Sequence, residues 1–262
     1  MTTPPDARPI VVKLGGSTLG AHDTSLRDIA SARRDGRPIV VVHGGGATVS
    51  AWLQRAGIEA TFVRGLRVTD AATLDVVVGV LAGVVNTQLV AELSALGAPA
   101  IGLSGADGLI LQARAYDDAL GFVGKIHDVN PKPVEELLRL GYLPVIAPIG
   151  IDTAAGAPQL LNTNADTAAG ELVAALRAQQ LIFLTDVEGV LDAERHLLPH
   201  LNASQAAALI ESGVAAGGMI PKLEAAVRAA SSGCATRIID GTRADALSSV
   251  LSGATAGTTV RG

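Results

Sequence analysis

The chain has a single cysteine, Cys234, in 262 residues. No internal disulfide can hold it, and a lone thiol fits a reducing compartment, so a cytoplasmic location is expected. Positive charge is also in short supply. Twenty Lys and Arg against 25 Asp and Glu give a net charge of -5, with no basic stripe to neutralise a run of phosphates, so a nucleic-acid partner is excluded in favour of a small molecule. The opening MTTPPDARPI has no basic region leading into an apolar run, which argues against a signal peptide. The most apolar window, residues 76–85, stops at Asn86 and is too short to span a bilayer, so it reads as a buried helix with no membrane partner. The chain also lacks the phosphate loop GxxxxGK[ST] and has no GxGxxG at a strand–helix junction. Neither a P-loop ATPase nor a dinucleotide enzyme is therefore indicated.

What is present is a core. Apolar residues make up 48% of the chain and charged ones 17%, enough burial to offset the entropy of ordering in one large α/β domain or two packed lobes. Apolar runs of strand length at 9–14, 38–42, 100–103, 143–149, 181–184 and 236–239 each end in turn signals. Helical patterns alternate with them at 47–56, 71–96, 133–140, 166–177, 203–211 and 221–232. Such alternation predicts a mostly parallel sheet covered on both faces, a three-layer αβα sandwich, in which ligands bind at the carboxyl ends of the strands. A boundary near 175–180 would separate an N-terminal lobe, 1–178, from a C-terminal lobe, 179–262.

The turns at those strand ends carry the chemistry. In Lys13-Leu14-Gly15-Gly16 and His43-Gly44-Gly45-Gly46, successive glycines either form tight turns or let backbone N–H groups converge on an anion. Only four lysines occur, and two of them lie beside glycine pairs. Lys13 either snorkels along apolar surface or aims at a bound anion. Arg67, in Gly65-Leu66-Arg67-Val68-Thr69, is either a surface charge or a fork for a carboxylate. Asn164 or Asp166 in Asn162-Thr163-Asn164-Ala165-Asp166 is suited to capping the helix that follows. Lys222, after Gly217-Gly218-Met219-Ile220-Pro221, opposes the dipole of a helix start, a placement that a bound phosphate would explain.

Taken in order, these segments, with Thr185-Asp186-Val187-Glu188-Gly189-Val190-Leu191, resemble the acetylglutamate kinases of the amino-acid kinase superfamily over nearly the whole chain. The resemblance implies transfer of phosphate from ATP, with Mg²⁺ carried on the nucleotide and no assigned protein metal ligand, to the side-chain carboxylate of N-acetyl-L-glutamate, a step of arginine biosynthesis. It implies Lys13 and Lys222 as phosphate-stabilising lysines, Asp166 as the carboxylate that organises them, and Gly16 and Gly45 as backbone donors. Gly45, Gly46, Arg67 and Asn162 would bind the acetylated amino acid. ATP would lie along Lys13, Thr185, Asp186, Val187, Glu188, Gly189, Val190, Leu191, Val214, Ala215, Ala216, Met219 and Lys222. Thr87 departs from relatives that often carry lysine there. The alternatives are a carrier-linked aminoadipate or glutamate kinase and a silent ligand sensor. A homodimer is expected along the 71–96 helix, whose apolar content exceeds what one buried face needs. The proline-rich start leaves no room for the extra N-terminal helix of arginine-inhibited relatives, so an arginine-insensitive dimer is expected.

Overall fold

The computed structural model describes residues 8–15, 24–63, 65–154 and 156–262. Strand β1 (Ile10–Leu14) leads through helix Ser25–Arg34 to β2 (Ile39–His43) and helix Gly46–Arg55. The short hairpin β3 (Phe62–Val63) and β4 (Leu66–Arg67) precedes a long helix, Ala71–Ala95. Next come β5 (Ala100–Ser104), β6 (Leu111–Ala115), β7 (Val123–Val129), helix Lys132–Arg139, β8 (Leu143–Ala147), β9 (Ile149–Asp152) and β10 (Gln159–Thr163). Helix Ala165–Ala175 and β11 (Gln180–Thr185) follow. The chain closes through β12 (His200–Asn202), helices Ala203–Glu211 and Met219–Ser231, β13 (Ala235–Asp240), helix Ala246–Leu251 and β14 (Thr258–Arg261).

Eight strands form one sheet in the order β12-β14-β13-β11-β1-β2-β8-β5. Every neighbouring pair is parallel except β13 with β14. β1 (IVVKL) and β2 (IVVVH) are buried at every position, as strands covered on both faces must be. Side chains of β1 and β2 alternate between two cores. Val11, Val40 and Val42 join one with the helices Ala165–Ala175 and Met219–Ser231, while Ile10, Val12, Ile39 and Val41 join the other with Ser25–Arg34, Gly46–Arg55 and Ala71–Ala95. The three-layer αβα sandwich is therefore the architecture. The same alternation puts Lys13 on the Val11 face. β1 and β11 pair from Ile10↔Gln180 to Leu14↔Leu184, so the segments either side of residue 178 share one continuous sheet.

Two features were not legible in the apolar runs. β6, β7, β9 and β10 close into a small barrel outside the main sheet. The long helix winds as a π-helix through Gly79–Val85, an extra-residue geometry that turns Asn86 inward to a site 4% exposed. The helix is long and apolar enough, by length and composition, to span a bilayer, with 39% of its most apolar window buried. One face carries Val77, Leu81, Val85, Leu89 and Leu93 into the core, so the remaining apolar surface is what the monomer leaves uncovered.

The barrel is latched to the segment after β4 at Thr69. Thr69 N donates to Leu120 O at 3.0 Å, and Phe122 N donates back to Thr69 O at 2.7 Å. Gly121, between them, has φ +64, and a Cβ there would lie 2.4 Å from Thr69 O. Backbone cannot yield as a side-chain tip can, so Gly121→Ala is expected to destabilise by roughly 1–3 kcal/mol or more. Chemical denaturation of the two proteins measures this directly.

Candidate active site

The site lies where β1, β2 and β11 end. Asn164 is the N-cap of helix Ala165–Ala175, its Oδ1 accepting from Asp166 N at 2.8 Å and Thr167 N at 3.1 Å. Because Asn164 does the capping, the Asp166 side chain is released for another task. Its Oδ1 forms an ion pair with Lys13 Nζ at 2.7 Å, and its Oδ2 accepts from Lys222 Nζ at 3.0 Å. Lys222 also donates to Gly218 O at 3.1 Å. All three side chains are nearly inaccessible, at 8%, 7% and 13% exposure for Lys13, Asp166 and Lys222.

The electrostatics follow from that burial. Loss of hydration pulls the Lys13 pKa below its ordinary value, with Asp166 pulling the other way and Lys222 adding to the depression. For Asp166, burial alone would raise the pKa, but the two lysines outweigh it and hold the carboxyl below the usual range. Each ammonium carries three N–H donors, and the carboxylate does not use them all. The arrangement is thus a preformed double cation with donors to spare, suited to an anion that bears several oxygens.

Beside it, Gly44 N donates to Leu14 O at 3.0 Å, tying the second glycine turn to the end of β1. Gly45 has no space for a side chain, since a Cβ would meet Leu81 Cδ2 at 2.6 Å and Val85 Cγ2 at 3.3 Å. Gly16 lies outside the described residues. His43, 1% exposed, donates from Nδ1 to Gly44 O at 2.8 Å and accepts at Nε2 from Asn86 Nδ2 at 3.1 Å. Burial is the main cause that drives its pKa down to about 4, so the ring stays neutral beside Lys13.

A cavity of about 190 Å³ opens from the glycines toward β4 and β10, lined by Gly45, Gly46, Arg67 and Asn162 among others. It is smaller than the range for drug-sized ligands and suits a compact one. Arg67 is 8% exposed. Its Nη2 donates to Ser50 Oγ at 2.8 Å and Gly46 O at 3.1 Å, and its Cζ stands 4.7 Å from the Phe62 ring centroid. Nη1 is buried without a partner. A guanidinium held through Nη2, with Nη1 unpaired, keeps donors in reserve for a carboxylate. The described lining residues include no Asp or Glu.

The expected nucleotide residues divide by exposure. Thr185 is buried at the end of β11 and donates to Asp186 Oδ1 at 3.2 Å. Asp186, Val187 and Glu188 are exposed, as are Val214 and Ala216, while Gly189, Val190 and Ala215 are buried and Leu191 and Met219 are half-buried. Val190 turns into the core, and its N–H donates to Thr258 Oγ1 at 2.8 Å. Lys13, Asp166 and Lys222 are brought together by the fold, and Gly45, Gly46, Arg67 and Asn162 share the adjoining cavity. Sequence reasoning missed Phe62 and Ser50 as the supports of Arg67. It also missed Asn86 behind His43, although a polar residue ending an apolar run was a signal.

A family model described as the amino acid kinase family matches residues 8–240. The acetylglutamate kinase of Dehalococcoides mccartyi (strain CBDB1) is 43% identical over 256 residues, covering 97% of this chain and 94% of that protein. The acetylglutamate kinase of Synechococcus sp. (strain WH7803) is 47% identical over 248 residues, covering 92% and 84%. Among solved structures, N-acetylglutamate synthase from Neisseria gonorrhoeae, complexed with coenzyme A and N-acetyl-glutamate, superposes with a TM-score of 0.81 at 25% identity. That match covers 98% of this chain and 60% of the other.

Proposed function

Since the chain belongs to the amino acid kinase family and groups there with the acetylglutamate kinases, we propose that its buried double-lysine clamp transfers phosphate from ATP to N-acetyl-L-glutamate. The observation that carries this reading is Asp166 holding Lys13 and Lys222 at 2.7 and 3.0 Å beside a cavity lined by Arg67, whose Nη1 has no partner. A carboxylate is nucleophilic at neutral pH, so the reaction needs no general base. Its difficulty is bringing two anions together and stabilising the charge on the moving phosphoryl group. Lys13 and Lys222 would supply that charge, Asp166 would keep them apart and oriented, and the Gly45 N–H would donate from the other side. Mg²⁺ would travel on the nucleotide's phosphates, neutralising charge there. The exposed strip at Asp186, Val187, Glu188, Val214 and Ala216 is the proposed nucleotide face.

The cavity's composition favours an acylated amino acid over a free one. A free amino acid carries an ammonium, which would want an acidic partner, and the described lining offers none while Arg67 repels it. Arg67 would take the α-carboxylate through the unspent Nη1. An ADP-release assay with N-acetyl-L-glutamate, L-glutamate, L-aspartate and carbamate tests the assignment. Turnover of the acetylated substrate alone is expected, and turnover of none of them with ligand binding intact would favour a silent sensor.

Arg67→Lys is expected to raise KM for N-acetyl-L-glutamate about tenfold or more, because an ammonium cannot hold Ser50, Gly46 and a carboxylate together. KM for ATP should change little, and steady-state kinetics with each substrate varied separates the two. The uncovered face of Ala71–Ala95 is the proposed dimer surface. A dimeric mass by light scattering at micromolar concentration is expected, and a monomer would refute it. Division into a substrate lobe, 1–178, and a nucleotide lobe, 179–262, in the cytoplasm, completes the proposal.

A further inference from the structure

Thr69 is the most enclosed polar residue near the cavity, at 0% exposure, and its hydroxyl has two partners. Oγ1 donates to Arg67 O at 2.7 Å and accepts from Asn162 Nδ2 at 3.0 Å. The hydroxyl has one proton. Because that proton is committed to the Arg67 carbonyl, only lone pairs face Asn162, and only the NH₂ end of that amide can satisfy them. The flip of Asn162 is therefore fixed by Thr69, which leaves Oδ1 as an acceptor for the cavity that Asn162 lines. The backbone reinforces this. Phe122 N donates to Thr69 O at 2.7 Å, and Asn162 N donates to Phe122 O at 2.9 Å, so residues 69, 122 and 162 form one hydrogen-bonded row.

We infer that Thr69 is a positioning residue that sets which end of the Asn162 amide meets the substrate, and so makes the site select for an N–H on the acylated nitrogen. The inference rests on the proposed N-acetyl-L-glutamate kinase reading. An ester in place of the amide removes the N–H at nearly constant shape and leaves Asn162 Oδ1 facing an oxygen that cannot donate. A site built on a hydrogen bond rejects the analogue lacking it, because the buried partner is left unpaired. Thr69→Val removes the acceptor with little change of volume, frees the amide to turn, and makes that discrimination disappear.

The experiment compares KM for N-acetyl-L-glutamate and 2-acetoxyglutarate in wild type, Thr69→Val and Thr69→Ser. Wild type is expected to favour the amide by about tenfold or more. Thr69→Val is expected to bring the two KM values together with KM for ATP unchanged, and Thr69→Ser to restore the preference. If Thr69→Val fails to fold, Thr69→Cys, whose sulfur is a weak acceptor, takes its place with the same expectation. Equal loss for amide and ester would mean that Thr69 acts through Arg67 or through folding, which overturns the inference. So would a wild type that turns over both substrates with the same KM. A wild type inactive on N-acetyl-L-glutamate would instead overturn the functional reading, so the two failures are distinguishable.

Discussion

Lys222→Ala is expected to lower kcat by roughly 10²–10³-fold or more, with KM for both substrates changed far less, because in the proposed reaction the ammonium would act on charge that develops in the transition state. The fold should survive. Removing Lys222 leaves Asp166 still paired with Lys13 at 2.7 Å, so no buried charge is orphaned, and the stability loss should stay near ~1 kcal/mol. Steady-state kinetics together with thermal melting separates the two effects. Near-normal kcat would remove Lys222 from the chemistry, and a collapse in melting temperature would make it a structural lysine.

Asp166→Asn is expected to harm activity and stability together. Among the described residues its carboxylate alone forms ion pairs with both ammonium groups, and deleting it leaves two buried cations without that counter-ion. Breaking a buried ion pair in this way costs roughly 3–5 kcal/mol. The pH dependence follows from the signs. In the wild type Asp166 titrates below the 3.8 of an ordinary side chain, so the unfolded chain binds that proton more readily. The stability it contributes is complete above 3.8 and is lost as pH falls through the folded-state value. In Asp166→Asn that contribution to acid unfolding should vanish. For Lys13 the effect is the reverse of protection. Burial already depresses its pKa and Asp166 opposes the depression, so without the carboxylate the lysine loses its proton at lower pH. The basic limb of the pH–rate profile should move toward neutrality. Unchanged melting temperature and an unshifted basic limb would show that the carboxylate does not organise the clamp.

How much of this was legible in the sequence depended on which physical signal each element carried. β1, β2, β8 and β11 announce themselves because strands covered on both faces are continuous apolar runs ending in glycine or Thr-Asp turns. β6, β7, β9 and β10 did not. They are half-buried strands of mixed composition, such as LQARA and VGKIHDV, and the β6–β7 pairing shifts register between Gln112 and Ala113, which breaks period 2. At the site, unusual lysines beside glycines marked Lys13 and Lys222 from local sequence alone. The support of Arg67 by Phe62 and Ser50 was invisible, because it depends on a hairpin folding over a helix and no sequence period encodes that contact. Asn164 and Asp166 were indistinguishable as caps until the backbone showed Asn164 accepting both N–H groups.

Among the described residues β1 is the first strand of the sheet in chain order, and it is also central, lying between β2 and β11. Its partner β2 begins at Ile39, but β11 begins only at Gln180. During synthesis one edge of a largely apolar strand therefore waits, unpaired, for most of the chain to emerge, and an unpaired apolar edge is what other chains pair with. Lys13 sits in that strand and its counter-ion Asp166 lies in helix Ala165–Ala175, which precedes β11. The charge proposed to serve the phosphoryl group in the finished fold thus also interrupts the apolar run of the nascent edge during the interval in which nothing covers it, as a gatekeeper against association does.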